Sequence, residues 1–124
     1  MLRAQVMRFS SLAKDGFPHV VPVSPVFYEN KIYFATDVGA VKLRNIKRNP
    51  KVAAVFDHYD PSWRGLKGIM IQGTTKIIAR GDMFYKIREQ LYKKFPPYKK
   101  NAPFDVGETV IVEITPRDTF SWAE

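Results

Sequence analysis

Two basic side chains, Lys42 and Arg44, lie where the sequence predicts the first turn of a short helix over residues 39–48. This helix follows a strand-like run that ends at Thr36 and a turn at Gly39. Cations are unfavourable there, because the N-terminus of a helix already carries a partial positive charge. The unpaired N–H groups of a helix start bind anions such as phosphate, and cations would then favour the complex. The spacing therefore predicts a phosphate site at the start of this helix.

Side chains that usually carry catalysis are scarce in this chain. The two histidines, His19 and His58, fall in a predicted strand and a predicted loop, without metal-ligand spacing. The absence of cysteine excludes disulfides, thiolate catalysis and cysteine-bound zinc. Ser24 lies between two prolines rather than in a nucleophile elbow, and neither a P-loop nor GxGxxG is present. We therefore predict no catalytic residue and no metal site.

Composition limits the class of protein. The chain has 124 residues, 45% of them hydrophobic and 14% aromatic, which excludes a disordered protein and favours one domain over residues 1–124. No apolar run approaches the roughly 20 residues needed to cross a bilayer. The N-terminus also lacks the long apolar core of a signal peptide. We expect a cytoplasmic protein without a membrane partner.

The net charge of +8 has two interpretations. A basic surface attracts polyanions, such as nucleic acid or phosphorylated ligands. A surface rich in lysine also keeps a protein soluble without any specific partner. The lysines are spread along the chain, so the sequence alone leaves both interpretations open.

The hydrophobic pattern predicts six strands and two helices. The strands are predicted over residues 4–13, 18–28, 32–36, 51–56, 68–78 and 108–115, and the helices over residues 39–48 and 82–95. Short turns join most strands, and only two helices are available to cover them. This order favours a small, mostly antiparallel barrel with helices packed outside.

Single residues predict local features of these elements. Asp15–Gly16 between apolar runs predicts a tight hairpin, and the prolines within residues 18–28 predict an edge strand or a bulge. Asn49–Pro50 predicts the end of the first helix. Gly73 predicts a bend or a close backbone approach, and Asp82 is the predicted N-cap of the second helix.

Five segments, taken in order, resemble the pyridoxamine 5′-phosphate oxidase-like family of flavin-binding split barrels. They are GFPHVVPV at residues 16–23, IYFAT at 32–36, KLRNI at 42–46, NPKV at 49–52 and ITPRDTFSW at 114–122. The family pattern runs roughly G-x-P-x-x-x-P-V, Y-F-x-T and K-x-x-N-[IL]-x-x-N-P-x-V. Each motif is weak alone, but the ordered series covers nearly the whole chain and is fairly specific.

The resemblance implies a fold, an assembly and a cofactor. The fold would be mainly β (α+β), a six-stranded antiparallel split β-barrel with two flanking helices. Two copies would form a homodimer, with one flavin in each of two clefts between the subunits. The cofactor would be non-covalent FMN, with the deazaflavin F420 as the alternative.

The resemblance also implies which residues bind the cofactor. Lys42 would contact the flavin phosphate with help from the Thr36 hydroxyl. Arg44 would either replace, as a phosphate ligand, an arginine that this chain lacks at Ala40–Val41, or simply face solvent. Trp63 and Trp122 would either stack on the flavin or supply packing area. Lys47 and Arg48 would face solvent. The implied cofactor-binding residues are Val21, Pro22, Val23, Ser24, Ala35, Thr36, Lys42, Arg44, Trp63 and Trp122.

The implied activity is hydride or electron transfer through the flavin, with a small-molecule electron donor or acceptor. Gly68 replaces a glutamine frequent in the family, and the chain lacks the C-terminal extension that holds pyridoxal phosphate, so we do not expect pyridoxamine 5′-phosphate oxidation. Whether the protein is an enzyme stays open. The alternatives are an F420-dependent reductase and a flavin carrier without turnover.

A nucleic-acid-binding small β-barrel is a further alternative from a different class. It rests on the net charge of +8, on the aromatic residues Tyr59, Trp63 and Tyr98, and on the Lys99–Lys100 pair. The absence of an RNP-like motif counts against it.

Overall fold

A computed structural model describes residues 4–58 and 67–123 of the chain. Seven strands and three helices lie within these residues. In chain order they are β1 (Met7–Leu12), β2 (Pro18–Val23), β3 (Val26–Tyr28), β4 (Lys31–Asp37), α1 (Val41–Arg48), β5 (Lys51–His58), β6 (Lys67–Ile78), α2 (Asp82–Lys94), α3 (Pro97–Asn101) and β7 (Thr109–Ala123). None of the described helices is both long enough and apolar enough to span a membrane.

The seven strands form one antiparallel sheet in the order β2-β1-β5-β6-β7-β4-β3. The sheet curls strongly. The rings of Phe9 on β1 and Phe34 on β4 are 4.8 Å apart, although three strands lie between β1 and β4 in the sheet. Phe27 on β3 and Phe56 on β5 meet in the same way, 5.4 Å apart. The curled sheet is a half-barrel, and the predicted split-barrel class is confirmed.

The number of elements differs from the prediction of six strands and two helices. The run over residues 18–28 is two strands, because β2 pairs with β1 at one edge of the sheet and β3 pairs with β4 at the other. The chain changes edge at Ser24–Pro25, where proline has no N–H for a ladder. The short helix α3 was also missed. It begins at Pro97, and proline is compatible with the first turn of a helix.

Most local signals are confirmed, because each depends on neighbouring residues alone. β1 and β2 form the predicted hairpin, in which the N–H of Phe17 donates to Asp15 Oδ1 over 3.1 Å. β2 lies at the sheet edge, as its proline requires, and α1 ends before Asn49–Pro50. The N-cap prediction was wrong: Gly81 holds that position with a φ of 95°, and Asp82 is the first helical residue.

Strands β6 and β7 change register once, at a bulge. Gln72 pairs with Asp118 and Gly73 pairs with Pro116, so Arg117 is an extra residue on β7. A Cβ at Gly73 would collide with the carbonyl oxygen of Thr115, which confirms the predicted close backbone approach.

The extra residue reverses which side chains of β7 face inward. Before the bulge, the even-numbered residues from Val110 to Ile114 face the inside of the curled sheet. After it, Phe120 pairs with Met70 and Trp122 with Gly68, in line with exposed Arg8 across the sheet. Phe120 and Trp122 therefore lie on the outer face.

Each helix covers one of two hydrophobic clusters. Leu43 and Ile46 of α1 pack inside the curl of the sheet with Met7, Phe9 and Phe34. The other face of β4 and β7 lies under α2, whose Phe84, Ile87 and Leu91 are fully buried. The helix that carries the candidate site, α1, is therefore anchored in the inner cluster, and α2 covers the opposite face.

Candidate functional site

Helix α1 begins without any acidic or capping side chain. Its N-cap residue, Ala40, offers no side-chain hydrogen bond, and its first turn contains no acid. The N–H of Leu43 donates to the carbonyl oxygen of Ala40 over 3.2 Å, so the N–H groups of Val41 and Lys42 are left without a backbone partner in the described part of the chain, at the positive end of the dipole. Four of the eight residues of α1 are basic. The start of α1 therefore combines open N–H groups with basic side chains, the two features on which the predicted phosphate site depends.

The two predicted phosphate ligands differ in what they contact. Arg44 Nη1 donates to the carbonyl oxygen of Gly39 over 2.9 Å, which holds the guanidinium beside the turn before α1. Lys42 is half-buried and makes no hydrogen bond or ion pair with any described residue. An unpaired, partly buried ammonium costs free energy unless a ligand or water satisfies it.

Residues at the end of β4 lead directly into this helix. Thr36 is buried, shares the inward face with Phe34 and pairs with Val110 of β7. Ala35 faces the opposite way and packs in the cluster under α2. The structure therefore brings the side chain of Thr36 toward the α1 side, whereas only the backbone of Ala35 can take part there.

Strand β2 provides a wall with an open backbone edge. Val23 is buried and Val21 packs against the same inner cluster as Ala40, whereas Pro22 is exposed on the outer face. Ser24 follows the strand and is half-buried. Because β2 is an edge strand, its outward N–H and C=O groups have no sheet partner and can hydrogen-bond a ligand.

Trp122 lies elsewhere, in a groove of about 930 Å³ at the far end of β5, β6 and β7. Its ring lies over Gly68, where any Cβ would collide with it. The sequence had marked Gly68 only as a departure from the family pattern. A glycine inside a strand signals such a close approach, but the partner cannot be identified without the structure. The Arg8–Asp57 ion pair, His58 and Lys67 line the same groove.

One protomer does not bring Trp122 to the start of α1. Thr36 pairs with Val110, and Trp122 follows twelve residues later on the same strand. At about 3.3 Å per residue, this is roughly 40 Å of strand. Among the predicted site residues that the structure describes, Trp122 alone lines this groove. Trp63 lies outside the described residues.

A buried polar cluster lies on the α2 side of the sheet, and sequence patterns gave no signal for it. Tyr33 donates its hydroxyl hydrogen to Glu113 over 3.0 Å, and Lys31 Nζ lies 3.3 Å from the same carboxylate. Burial, followed by the hydrogen bond to Glu113, raises the pKa of Tyr33 above its usual value. Lys31 lines a groove of about 400 Å³ beside β3 and β4. The buried pair of Tyr33 and Glu113 contributes to the fold.

Metal binding and nucleic-acid binding find little support in the described residues. No group of three His, Asp or Glu side chains within residues 4–58 and 67–123 could hold a metal ion. Tyr98 packs between Phe95 and Phe104, with ring centroids at 5.9 and 4.8 Å, rather than forming an exposed platform for bases. Tyr59, the other tyrosine of that hypothesis, lies outside the described residues.

A curled antiparallel sheet, an edge strand beside a helix start and a helix plugging the curl define a split β-barrel. The family model of pyridoxamine 5′-phosphate oxidase matches residues 1–123, and the chain belongs to this family. The sequence matches none of the curated proteins.

Solved structures share this fold at low sequence identity. A conserved hypothetical protein from Mycobacterium tuberculosis is 18% identical with a TM-score of 0.82, over 97% of this chain and 78% of that one. An F420 reductase is 21% identical with a TM-score of 0.76, over 96% and 92% of the two chains. A FAD-binding protein from Mesorhizobium loti is 22% identical with a TM-score of 0.74, over 97% and 84%.

Proposed function

We propose that this chain is a homodimeric flavoprotein that binds FMN without a covalent bond and transfers hydride or electrons through it. Residues 1–124 would form a single cofactor-binding domain. Family membership and two structural neighbours that are named as an F420 reductase and a FAD-binding protein support a cofactor of the flavin type.

The start of α1 is the observation that carries this proposal. Half-buried Lys42 has no partner among the described residues, and no acid lies in the first turn beside it. A phosphate there would accept hydrogen bonds from the helix N–H groups and from Lys42, and the buried Thr36 hydroxyl and Arg44 lie at its sides. One anionic ligand would thus offset the positive charges at the start of α1, namely the basic side chains and the helix dipole.

Strand β2 would hold the flavin ring. Its open edge offers backbone hydrogen bonds to the polar rim of the isoalloxazine, and the chain from Val21 to Ser24 would cover one side of the ring. When bound, the flavin supplies the hydride and electron chemistry, and the chain supplies position and charge. FMN fits the single phosphate site, and F420 is the alternative for the same position.

A second copy of the chain would cover the outer face of the sheet. This face exposes apolar side chains on three strands or their flanks, namely Val6 (45% exposed), Val20 (61%), Phe120 (51%) and Trp122 (39%). Half-buried Val55 and Met70 connect them across the sheet. Continuous apolar patches of this kind mark protein interfaces. Trp122 lies far from α1 of its own chain. In a dimer, it would instead contact the cofactor of the partner subunit.

The decisive experiment combines cofactor identity with a charge deletion. The absorbance spectrum and mass of the ligand that co-purifies should identify a flavin or a deazaflavin. Lys42→Ala should then weaken FMN binding by about 10- to 100-fold, the effect of one charge-assisted hydrogen bond. Lys47→Ala, on the same helix, is the matched control and should leave FMN affinity unchanged.

Riboflavin, which has no phosphate, tests where the phosphate lies. Its affinity should be the same in the wild type and in Lys42→Ala, if Lys42 contacts only the phosphate. Unchanged FMN affinity in Lys42→Ala would place the phosphate elsewhere, and a protein that binds neither FMN nor F420 would refute the function. Steady-state assays with NADH, NADPH and reduced F420 separate an enzyme from a flavin carrier.

A further inference from the structure

Gly68 on β6 lies directly beneath the ring of Trp122 on the neighbouring strand β7. The two residues are partners in the register of the sheet. A Cβ at Gly68 would collide with Cζ2, Cε2 and Cη2 of Trp122, which all belong to the six-membered ring of the indole. The indole can therefore lie against the backbone of β6 only because position 68 carries no side chain.

The fold itself does not require glycine at position 68. Gly73, further along β6, faces the backbone carbonyl of Thr115 beside the bulge, and a backbone cannot move aside as a side chain can. At Gly68, the atoms nearest to an added Cβ all belong to the side chain of Trp122, and φ is not positive. Glycine also weakens a strand, because it loses more conformational freedom on folding and packs no side chain. The glycine at position 68 therefore serves the placement of the Trp122 ring.

Trp122 makes no aromatic or polar contact with the rest of the described chain. Within residues 4–58 and 67–123, its ring has no aromatic neighbour and its indole N–H has no hydrogen-bond acceptor. The N–H of a buried tryptophan usually has such an acceptor. Trp122 instead stays partly exposed in the groove of about 930 Å³. Its ring is therefore supported by β6 and open toward the groove.

A ring that is already in place binds a ligand better than a mobile one. A tryptophan at the end of a strand can adopt several rotamers, and ordering it during binding lowers affinity. Because Gly68 gives the indole a place on β6, this ordering accompanies folding instead. Position 68 also carries no amide, although glutamine is frequent there in the family. The chain thus offers an aromatic face, which contacts the face of a flat ring, in place of an amide, which hydrogen-bonds its polar rim.

We propose, on the basis of the function above, that Gly68 is a positioning residue for the cofactor. It acts through Trp122: the space above Gly68 places the indole so that it stacks on the isoalloxazine bound to the partner subunit. A side chain at position 68 would displace the indole and remove the stack. Recognition of the flavin at this end of the sheet would then depend on the face of its ring.

The test compares Gly68→Ala, Trp122→Ala and the double variant with the wild type. Gly68→Ala and Trp122→Ala should each weaken the binding of riboflavin and of FMN by about 3- to 10-fold, the effect of one aromatic stack. The double variant is the matched control. It should bind as Trp122→Ala does, within twofold, because the added methyl group has no ring to displace. Equal losses for the two ligands separate this effect from that of Lys42→Ala, which should weaken FMN alone.

The fluorescence of Trp122 reports its position directly. In a Trp63→Phe background, Trp122 is the only tryptophan of the chain. Without ligand, its emission should shift to longer wavelength in Gly68→Ala, because the displaced indole meets more water. Quenching of this emission by bound riboflavin should also decrease. Sedimentation velocity at the concentrations used for binding shows whether each variant remains a dimer.

Three results would overturn the proposal. The first is unchanged riboflavin affinity in Gly68→Ala or in Trp122→Ala; the second variant decides the matter if the first does not fold. Another is an equal loss from Gly68→Ala with and without Trp122, which would mean that the glycine acts through the backbone. The last is a loss that disappears once the variants are dimeric, since the ring would then only pack the interface. Failure of the flavin function itself would appear separately, as wild-type protein that binds none of riboflavin, FMN and F420.

Discussion

Helices α1 and α2 carry the same number of basic side chains, but use them differently. α2 has four among thirteen residues, with Asp82 in its first turn and Lys93 and Lys94 in its last, as the helix dipole favours. α1 has four among eight, no acid, and cations in its first turn as well as its last. The charges of α2 therefore stabilise its helix dipole, and the cations at the start of α1 oppose the dipole of their own helix.

Individual contacts lead to the same contrast. Lys94 Nζ donates to the carbonyl oxygens of Ala4 and Pro25 over 2.6 and 2.7 Å. Arg88 donates to the carbonyl oxygen of Phe104 and lies over the ring of Tyr85. Lys42 has no comparable partner among the described residues. The half-buried cations of α2, Arg88 and Lys94, have partners within the chain, so half-buried Lys42 without one suggests a ligand.

The largest expected effect on stability is at Lys94. Lys94→Met should lower the free energy of unfolding by about 2–3 kcal/mol, because two carbonyl groups lose a charged donor. Lys93→Met, one residue earlier and exposed, should change it by less than about 0.5 kcal/mol. Urea unfolding followed by circular dichroism measures both. Equal effects of the two variants would mean that the α2 cations do not serve the fold as we describe.

A smaller effect is expected at Tyr33, under α2. Tyr33→Phe should cost about 1–2 kcal/mol, because the buried Glu113 loses a hydrogen-bond donor. The folded state raises the pKa of Tyr33, so it keeps this proton above pH 10 whereas the unfolded chain loses it. The contribution of Tyr33 to the free energy of unfolding is therefore fully present below pH 10 and falls as the pH rises further.

The variant should flatten that alkaline decline, which unfolding at several pH values would measure. Tyr85→Phe, at an exposed tyrosine, is the control and should leave the decline unchanged. A decline of the same slope in wild type and Tyr33→Phe would contradict the assignment.

The smallest effect on stability has the opposite sign and is at the start of α1. Lys42→Glu should stabilise the protein without cofactor by about 0.3–1 kcal/mol, because an acid suits the helix dipole there. The same variant should lose FMN binding. Lys47→Glu, near the other end of α1, should destabilise the protein and keep the cofactor. Thermal unfolding with and without FMN tests both, and a destabilising Lys42→Glu would remove the contrast between the helices.

Much of the fold follows from local sequence signals. The hairpin at Asp15, the edge position of β2 and the close backbone approach at Gly73 were predictable, because turn chemistry, missing N–H groups and a missing Cβ act on nearby backbone. The change of edge at Ser24–Pro25 was not, since β2 and β3 differ only in which strand they pair with. The full length of β7 was also missed, because the polar residues Arg117 and Asp118 hide the alternation after the bulge.

The candidate site divides in the same way. Lys42 could be singled out because its conflict with the helix dipole is visible in the chain order. The proximity of Arg48 and Lys14 could not be predicted, since it depends on how α1 lies against the β1–β2 turn. The separation of Trp122 from Lys42 likewise depends on the length and register of β7, which tertiary pairing sets.

The bulge at Arg117 has a consequence for how this surface can change. One inserted residue decides whether Phe120 and Trp122 face outward or inward, so removing Arg117 would exchange the inner and outer residues of the end of β7 together. Point substitutions alter one contact at a time. A single codon deletion here would instead remove two large apolar residues from the outer face in one evolutionary step, and with them the surface through which two copies are proposed to associate.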